Sequence, residues 1–389
     1  MTQSRLRPLT HGPSHHFFGY YGIPPWDGAQ ARLLCLESDF QDHIPAPEEP
    51  ARVGLVDADS GAFSPVAETH AWNVQQGAML HWDPRHPNRR ILFNDRRSDD
   101  ATAEIVSVIH DLESGSTRDL PRAINAVSHD GRHALSLTYG RLSRCRRVVG
   151  YRGVVDPHAN DPHPVDDGVF LMDLETGEAR LVVSIAEAYE RLVPRHPELR
   201  ERHLWFNHVV FSRGDARFLF LARTTDPDGT LQTGMFTANL DGSELREVIP
   251  YGRRVSHFDW RDDRHIVATC SFRGLAKEHV LLTDGADDAH LLGEGLLRGD
   301  GHCCFSPNGA WLLTDERHDE TLERSLVLYH PETGAFHRLG RYPMFESRYI
   351  SGDLRCDLHP RWNRTGDALC IDALASDGTR QLHVGPAPV

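Results

Sequence analysis

No window of this sequence approaches the roughly 20 consecutive apolar residues that a membrane helix needs, so the chain is not expected to span a bilayer. The opening stretch MTQSRLRPLTHGPSHHFFGYYG carries basic residues but has neither an apolar h-region nor a small-residue cleavage site. A secretory signal is therefore not expected, and a cytoplasmic location is. Cysteine is sparse and unpatterned. Cys35, Cys145, Cys270, Cys303, Cys304, Cys356 and Cys370 are odd in number and irregular in spacing, which argues for reduced thiols over a disulfide framework. Also missing are a G-x-S-x-G elbow, a G-x-x-x-x-G-K-[ST] loop and a C-x-x-C pair. An attached α/β-hydrolase domain, a P-loop and a zinc ribbon are left without support. Positive charge is short as well. Lys plus Arg number 42 against 56 Asp plus Glu, for a formal charge of −14, which repels nucleic acid and anionic membranes at long range. Neither is an expected partner, and any bound polyanion needs a local cationic site such as the arginine-dense RLSRCRR at 141–147.

What the chain does have is a repeat. At 389 residues it exceeds an ordinary domain, so two domains or one large repeat architecture is expected. One pattern occurs seven times: an apolar run, an aromatic residue or Val, a polar turn, and a second apolar run. The copies are IPPWDGAQARLLCL, MLHWDPRHPNRRILF, INAVSHDGRHALSL, HVVFSRGDARFLFL, HFDWRDDRHIVAT, HCCFSPNGAWLLT and HPRWNRTGDALCI. Most are followed by a second hairpin built on Asp-x-x-(Ser/Thr)-Gly, as in GLVDADSGAFSPV and FLMDLETGEARLV. Two hairpins make four antiparallel strands. The anchors Trp26, Trp82, Val127, Phe211, Trp260, Phe305 and Trp362 recur at intervals of 56, 45, 84, 49, 45 and 57 residues. The period predicts an all-β, seven-bladed β-propeller of four-stranded antiparallel blades occupying residues 1–389 as one domain. The last copy has too little chain for its outer strand, so the N-terminal SRLRPLT is expected to supply it and close the ring. The long interval holds two insertions, a Pro- and Asp-rich loop at 140–167 and a short helix within 184–203, both expected to overhang one mouth of the ring.

Three residues before the anchors stand Ile23, Met79, Ile124, His208, His257, His302 and His359. Four consecutive blades thus place histidine at one position near the start of the innermost strand, the strand that lines a propeller's channel. Imidazoles converging there would hold a divalent metal, Mn²⁺ or Zn²⁺, with Asp300, Asp353 and Asp357 near in sequence to orient them. Cys304 is a further donor that could reach inward. Taken singly, each histidine could equally hydrogen-bond a neighbouring blade. Other polar residues fall where strands or nearby loops should be apolar: Asn73, Gln75, Gln76, Asn94, Asn207, Tyr139, Tyr151, and the arginines Arg141, Arg144, Arg146 and Arg147. They could bind a ligand, or simply satisfy loop backbone and solvent.

The segments HHFFGYYGIPPW, AWNVQQGAMLHW, RLSRCRRVVGYRG, GDGHCCFSPNGAWLLTDE and DLHPRWNRTG with the terminal RQLHV resemble the seven-bladed propeller polysaccharide lyases, namely the ulvan lyases and, more distantly, the oligogalacturonate lyases. The resemblance implies metal-assisted β-elimination on a uronic-acid-containing oligosaccharide or polysaccharide, with the metal held by His208, His257, His302 and His359. It further implies Arg146, helped by Arg141, on the uronate carboxylate, Tyr151 in proton transfer, and His208 as base or carboxylate binder. Asn73, Gln76, Asn94, Tyr139, Arg141 and Asn207 are the expected substrate contacts. Where ulvan lyases take a histidine from an early blade, this chain has Gln75, Gln76 and Asn94, with His70 and His81 nearby. Two other classes stay open: a non-catalytic propeller that binds glycan or protein, and a glycoside hydrolase, for which no convincing pair of carboxyl groups is evident.

Overall fold

Residues 5–97 and 104–388 are described by a computed structural model. They form seven four-stranded antiparallel sheets. The first blade runs from His15–Phe17 to Phe63–Thr69, the second from His81–Trp82 to Thr117–Leu120, and the third from Ala126–Val127 to Ala179–Ser184. The fourth extends from Trp205–Phe211 to Arg246–Arg253, the fifth from Val255–Trp260 to Ala289–Leu291, and the sixth from Cys304–Phe305 to Phe336–Pro343. The seventh uses Arg361–Trp362, Ala368–Leu374 and Arg380–Pro386, and takes Arg7–Pro8 as its outer strand. Arg7 pairs with Val384 and Pro8 with His383, so the N-terminus closes the ring as expected, with proline on an edge where no ladder bond is lost. Ser4 of SRLRPLT lies outside the described residues.

Local chemistry explains the hairpins. In the outer turns Asp57, Asp111 and Asp173 each accept, through Oδ1, the backbone N–H three residues on, from Ser60, Ser114 and Thr176 at 2.8, 3.1 and 2.7 Å. The next residue is a glycine whose φ is positive in all three turns, a conformation that costs glycine little. At Gly61 a Cβ would lie 1.9 Å from the Leu9 carbonyl oxygen, so that turn also admits the closing strand.

Between the turns, central strands are apolar on both faces because each sheet is covered by a blade on either side. Leu33, Leu34, Cys35 and Leu36, and likewise Phe218 to Ala222, are fully buried; each such large side chain contributes about 1.5–3 kcal/mol. One cluster runs from Cys370 and Leu382 of the seventh blade through Leu34, Val53, Ile91 and Val108 to Ala134 and Met172 of the third. The core thus crosses the point where the chain's two ends meet.

Two details depart from the sequence reading. In the first blade the innermost strand is His15–Phe17, and the expected IPPW strand is reduced to a single Trp26–Leu33 bridge. The chain between them turns into the channel, held by hydrogen bonds from the Phe18 and Gly19 N–H groups to Asp372 at 3.2 and 2.9 Å. In the long interval the arginine-rich segment is a helix, Tyr139–Cys145, where a loop was expected. The expected second helix is Ile185–Leu192, started by a capping box between Ser184 and Glu187.

Candidate active site

His208, His257 and His302 line one cleft of about 320 Å³ at the channel, together with Arg146 from the first insertion. Backbone irregularity aims some of these side chains. The ladder register shifts between Asn207 and Val210 and between Val255 and Phe258, which frees His208 and His257 from strict alternation. His208 and His359 have φ of 51° and 43°, and Met79 at the equivalent place in the second blade has 52°. For a non-glycine residue this left-handed backbone costs roughly 1–2 kcal/mol.

Three of the four histidines form a contiguous group. Ring centroids are 3.7 Å apart for His257 and His302 and 4.7 Å for His302 and His359. Tyr21 packs against all three, at 5.8, 5.3 and 6.5 Å. Each presents Nδ1 to an aspartate: His257 to Asp300 at 3.0 Å, His302 to Asp315 at 3.0 Å, and His359 to Asp372 at 3.8 Å. At His302 the carboxylate is hydrogen-bonded to Nδ1, which holds the ring proton there and leaves the Nε2 lone pair free; at His257 and His359 the aspartate lies near Nδ1 without a hydrogen bond. Burial pushes His257 down to about 4, with His302 adding to it and Asp300 opposing. His359 is lowered first by burial too. Burial works against ionised Asp315, but His302 and Arg324 outweigh it and bring its carboxyl down to about 2. The result at His257 and His359 is a preference for neutral imidazole.

His208 stands apart. Its Nδ1 lies 2.8 Å from the Tyr20 hydroxyl and 3.5 Å from Nε2 of Gln76, and burial followed by Arg223 lowers it well below the usual histidine range. Among the described residues, the group whose ligand atoms all lie within 4.8 Å of one another is His302, Asp357 and His359. This differs from the expected set of four imidazoles, because a carboxylate takes part and His208 and His257 fall outside. The donors suit a divalent ion of the Mn²⁺ or Zn²⁺ type. Asp357 is also bonded by Arg324 at 2.5 Å and Arg355 at 2.6 Å; one guanidinium sits on each oxygen, and each oxygen keeps a second lone pair. Burial opposes its charge, yet these arginines hold its carboxyl well below the ordinary range.

The cleft contains a second electrostatic feature that sequence reasoning missed. Arg223, 6% exposed, has its Nε buried without a partner and donates from Nη2 to the Val255 carbonyl at 3.2 Å. Among the described residues no carboxylate forms an ion pair with Arg223 or Arg146. Burial pulls Arg223 down to about 10, and Arg146 adds to the shift. Arg146 is itself lowered by burial and then by Arg355. A buried guanidinium and an exposed one that repel each other, with no carboxylate between them, define an anion site. Asn207 borders it, accepting from the His208 N–H at 2.9 Å while its Nδ2 is buried without a partner.

The remaining expected contacts lie elsewhere. Arg141, 2% exposed, donates to the carbonyls of Leu204, His158, Asp161 and Pro162 at 2.8 to 3.3 Å. It is therefore committed to pinning the insertions, not to a ligand. Asn94 is fully buried and bridges blades through Ile124 and the Tyr151 hydroxyl. Tyr151, 1% exposed, stacks on Tyr139 at 4.1 Å, and burial raises its phenol to about 12. Neither tyrosine lines the cleft. Asn73 caps its own loop by accepting from Gln75 and Gln76 N–H, and Gln75 donates to the Arg355 carbonyl at 2.6 Å. Cys304 turns to the Pro360 carbonyl. In each case a buried polar group is bonded within the protein, to backbone or, for Tyr139 and Tyr151, to Asn125 and Asn94, which a sequence cannot distinguish from a ligand contact.

No known family and no curated protein sequence matches this chain. Solved structures do. An oligogalacturonate lyase from Vibrio parahaemolyticus shares 13% identity at a TM-score of 0.67, covering 100% of this chain and 94% of that one. An oligogalacturonate lyase in complex with manganese shares 14% at 0.68, with the same coverage. The β-propeller domain of the Trilobed protease from Pyrococcus furiosus shares 11% at 0.53, covering 96% and 94%. At such identities the likeness is one of fold, the seven-bladed propeller.

Proposed function

We propose that this protein is a lyase that cleaves uronic-acid-containing oligosaccharides by β-elimination. The observation that carries the reading is the buried guanidinium of Arg223 next to the exposed Arg146, with no carboxylate ion-paired to either among the described residues, beside carboxylate-backed imidazoles. Abstracting the proton at C5 of a uronate is slow because negative charge builds next to a carboxylate, so the carboxylate must be neutralised first. Arg146 and Arg223 do this by direct ion pairing. Burial has already removed water from Arg223, which strengthens its share of the attraction. His257 is the base: Asp300, 3.0 Å from its Nδ1, favours the tautomer that presents Nε2 to the cleft. His208, with the Tyr20 hydroxyl at Nδ1, carries its proton on Nε2 and donates to the substrate. Asn207 Nδ2 gives a further hydrogen bond. His302, Asp357 and His359 would hold a divalent ion that adds positive charge at the same place. The likeness to an oligogalacturonate lyase solved with manganese favours this reading.

A glycoside hydrolase is less well supported, since the cleft carboxylates Asp300 and Asp357 are bound to Lys277, Arg324 and Arg355, which leaves Asp353 without the second carboxyl group that hydrolysis needs. Incubation with a panel of oligogalacturonates and other uronate oligomers is the test. The expected result is rising ultraviolet absorbance of a 4,5-unsaturated uronate; saturated products, or no product from any member, would overturn it.

A further inference from the structure

Of the 42 basic residues in the chain, one is a lysine, Lys277. Where arginine serves every other position, the single ammonium stands in the candidate cleft, on the strand Leu275–Thr283 of the fifth blade. Its side chain is 28% exposed. Nζ donates to Asp300 and to the Ser256 hydroxyl. An ammonium has three N–H groups; two are engaged here and the third is available to a ligand.

We propose that Lys277 is the catalytic acid that protonates the leaving glycosidic oxygen, an assignment that rests on the lyase reading above. β-Elimination needs one group to accept the C5 proton and another to supply a proton to O4. The tyrosine first expected in this role, Tyr151, is buried outside the cleft. The arginines there are assigned to the uronate carboxylate as cations, Asp300 and Asp357 are bound to cations, and Asp353 is exposed. Lys277 is the cleft cation that can lose one. It shares Asp300 with His257: Nζ bonds Oδ2, while Oδ1 faces the imidazole. One carboxylate thereby holds acid and base on the same side of the site. In the step, the C5–H electrons become the C4–C5 π bond, the C4–O4 pair leaves on oxygen, and O4 bonds the proton from Nζ. His257 releases its proton to water, and the neutral amine regains one from water.

Lys277→Arg keeps the charge and the bonds to Asp300 and Ser256 but removes the transferable proton. For a uronate oligosaccharide we expect kcat to fall about 100-fold or more with KM within about threefold. For a uronate carrying 4-nitrophenoxide at C4, which leaves without protonation, wild type and variant should agree within about threefold. Because the chain has one lysine, guanidination of the folded wild-type protein converts the same amine to homoarginine and should reproduce this pattern without any question of folding. Equal losses on both substrates after guanidination, or full turnover of the glycoside by either altered form, would overturn the assignment. A wild-type protein that eliminates neither substrate would instead overturn the lyase reading, and the acid role with it.

Discussion

Nδ1 of His302 lies 3.0 Å from Asp315, and the same thirteen-residue spacing recurs one blade later, where His359 faces Asp372. In both blades a histidine ahead of the innermost strand is backed by an aspartate on the next strand. The repeat has placed two ligand-and-orienter units side by side, with Asp357 between them in sequence and space.

Removing an orienting carboxylate should weaken the metal without removing a donor. Asp315→Asn and Asp372→Asn are each expected to lower Mn²⁺ or Zn²⁺ affinity about 10–100-fold, measured by competition with an absorbing chelator. His257→Gln should leave that affinity unchanged and abolish elimination. Loss of metal in His257→Gln would show that the fifth blade contributes a ligand, and would return the base role to His208.

Arg223 is expected to show a trade between binding and stability. Its guanidinium is buried beside Arg146 with no carboxylate, so Arg223→Met relieves repulsion and desolvation. Uronate affinity should drop by about 1.5–3 kcal/mol, the size of a charged hydrogen bond, while the melting temperature holds or rises. Calorimetric titration and thermal unfolding on the same preparation check both halves. A large loss of stability with unchanged affinity would make Arg223 a structural residue.

Much of this architecture was legible from residues alone, and the reasons for the gaps are physical. The seven anchors and the Asp-x-x-(Ser/Thr)-Gly turns report local geometry, so they gave the blades, the closing strand and four channel histidines. Arg223 was hidden because RFLFLARTT reads as an ordinary buried strand, and only strand register shows which residue reaches the cleft. Tyr20 and Tyr21 were hidden because the innermost strand of the first blade is interrupted. The His-to-Asp spacing of thirteen was present in the sequence and could have been found by aligning the second strands as well as the first. Arg141, Asn73 and Asn94 show the opposite limit: a polar residue in an apolar setting announces a burial problem, and the backbone solved it here.

Stability should fall in mild acid because of histidines outside the site. Burial lowers His81 and His383 to about 4 each, with the Met79 and Gln381 carbonyls opposing. The unfolded chain, at an ordinary value near 6.5, takes up these protons first. The contribution is complete above pH 6.5 and is lost as pH falls toward 4. At pH 5 each histidine should cost about 2 kcal/mol. Urea unfolding at pH 7 and pH 5 measures the drop, and His81→Asn should reduce it by about half of the two-residue sum.

The arginine first assigned to substrate supplies a final contrast. Arg141 satisfies four carbonyls at the base of the two insertions, 2.8 to 3.3 Å from each, with Asp156 at 3.7 Å as its nearest counter-charge. Replacing it with Met would leave the His158 and Pro162 carbonyls to the N–H groups of Asp161 and Leu204 and strand the carbonyl of buried Leu204, at about 1–3 kcal/mol for an acceptor left unpaired. Arg141→Met should therefore lower the melting temperature and expose the 150–167 segment to protease, while the folded fraction binds uronate with unchanged affinity. Arg146, five residues on and facing the cleft, should behave in reverse: Arg146→Met loses affinity and keeps its resistance to cleavage. If Arg141→Met instead lost affinity with no change in proteolysis, the guanidinium would have to leave its carbonyl cage to meet substrate, and the first insertion would be a moving part of the site instead of its fixed rim.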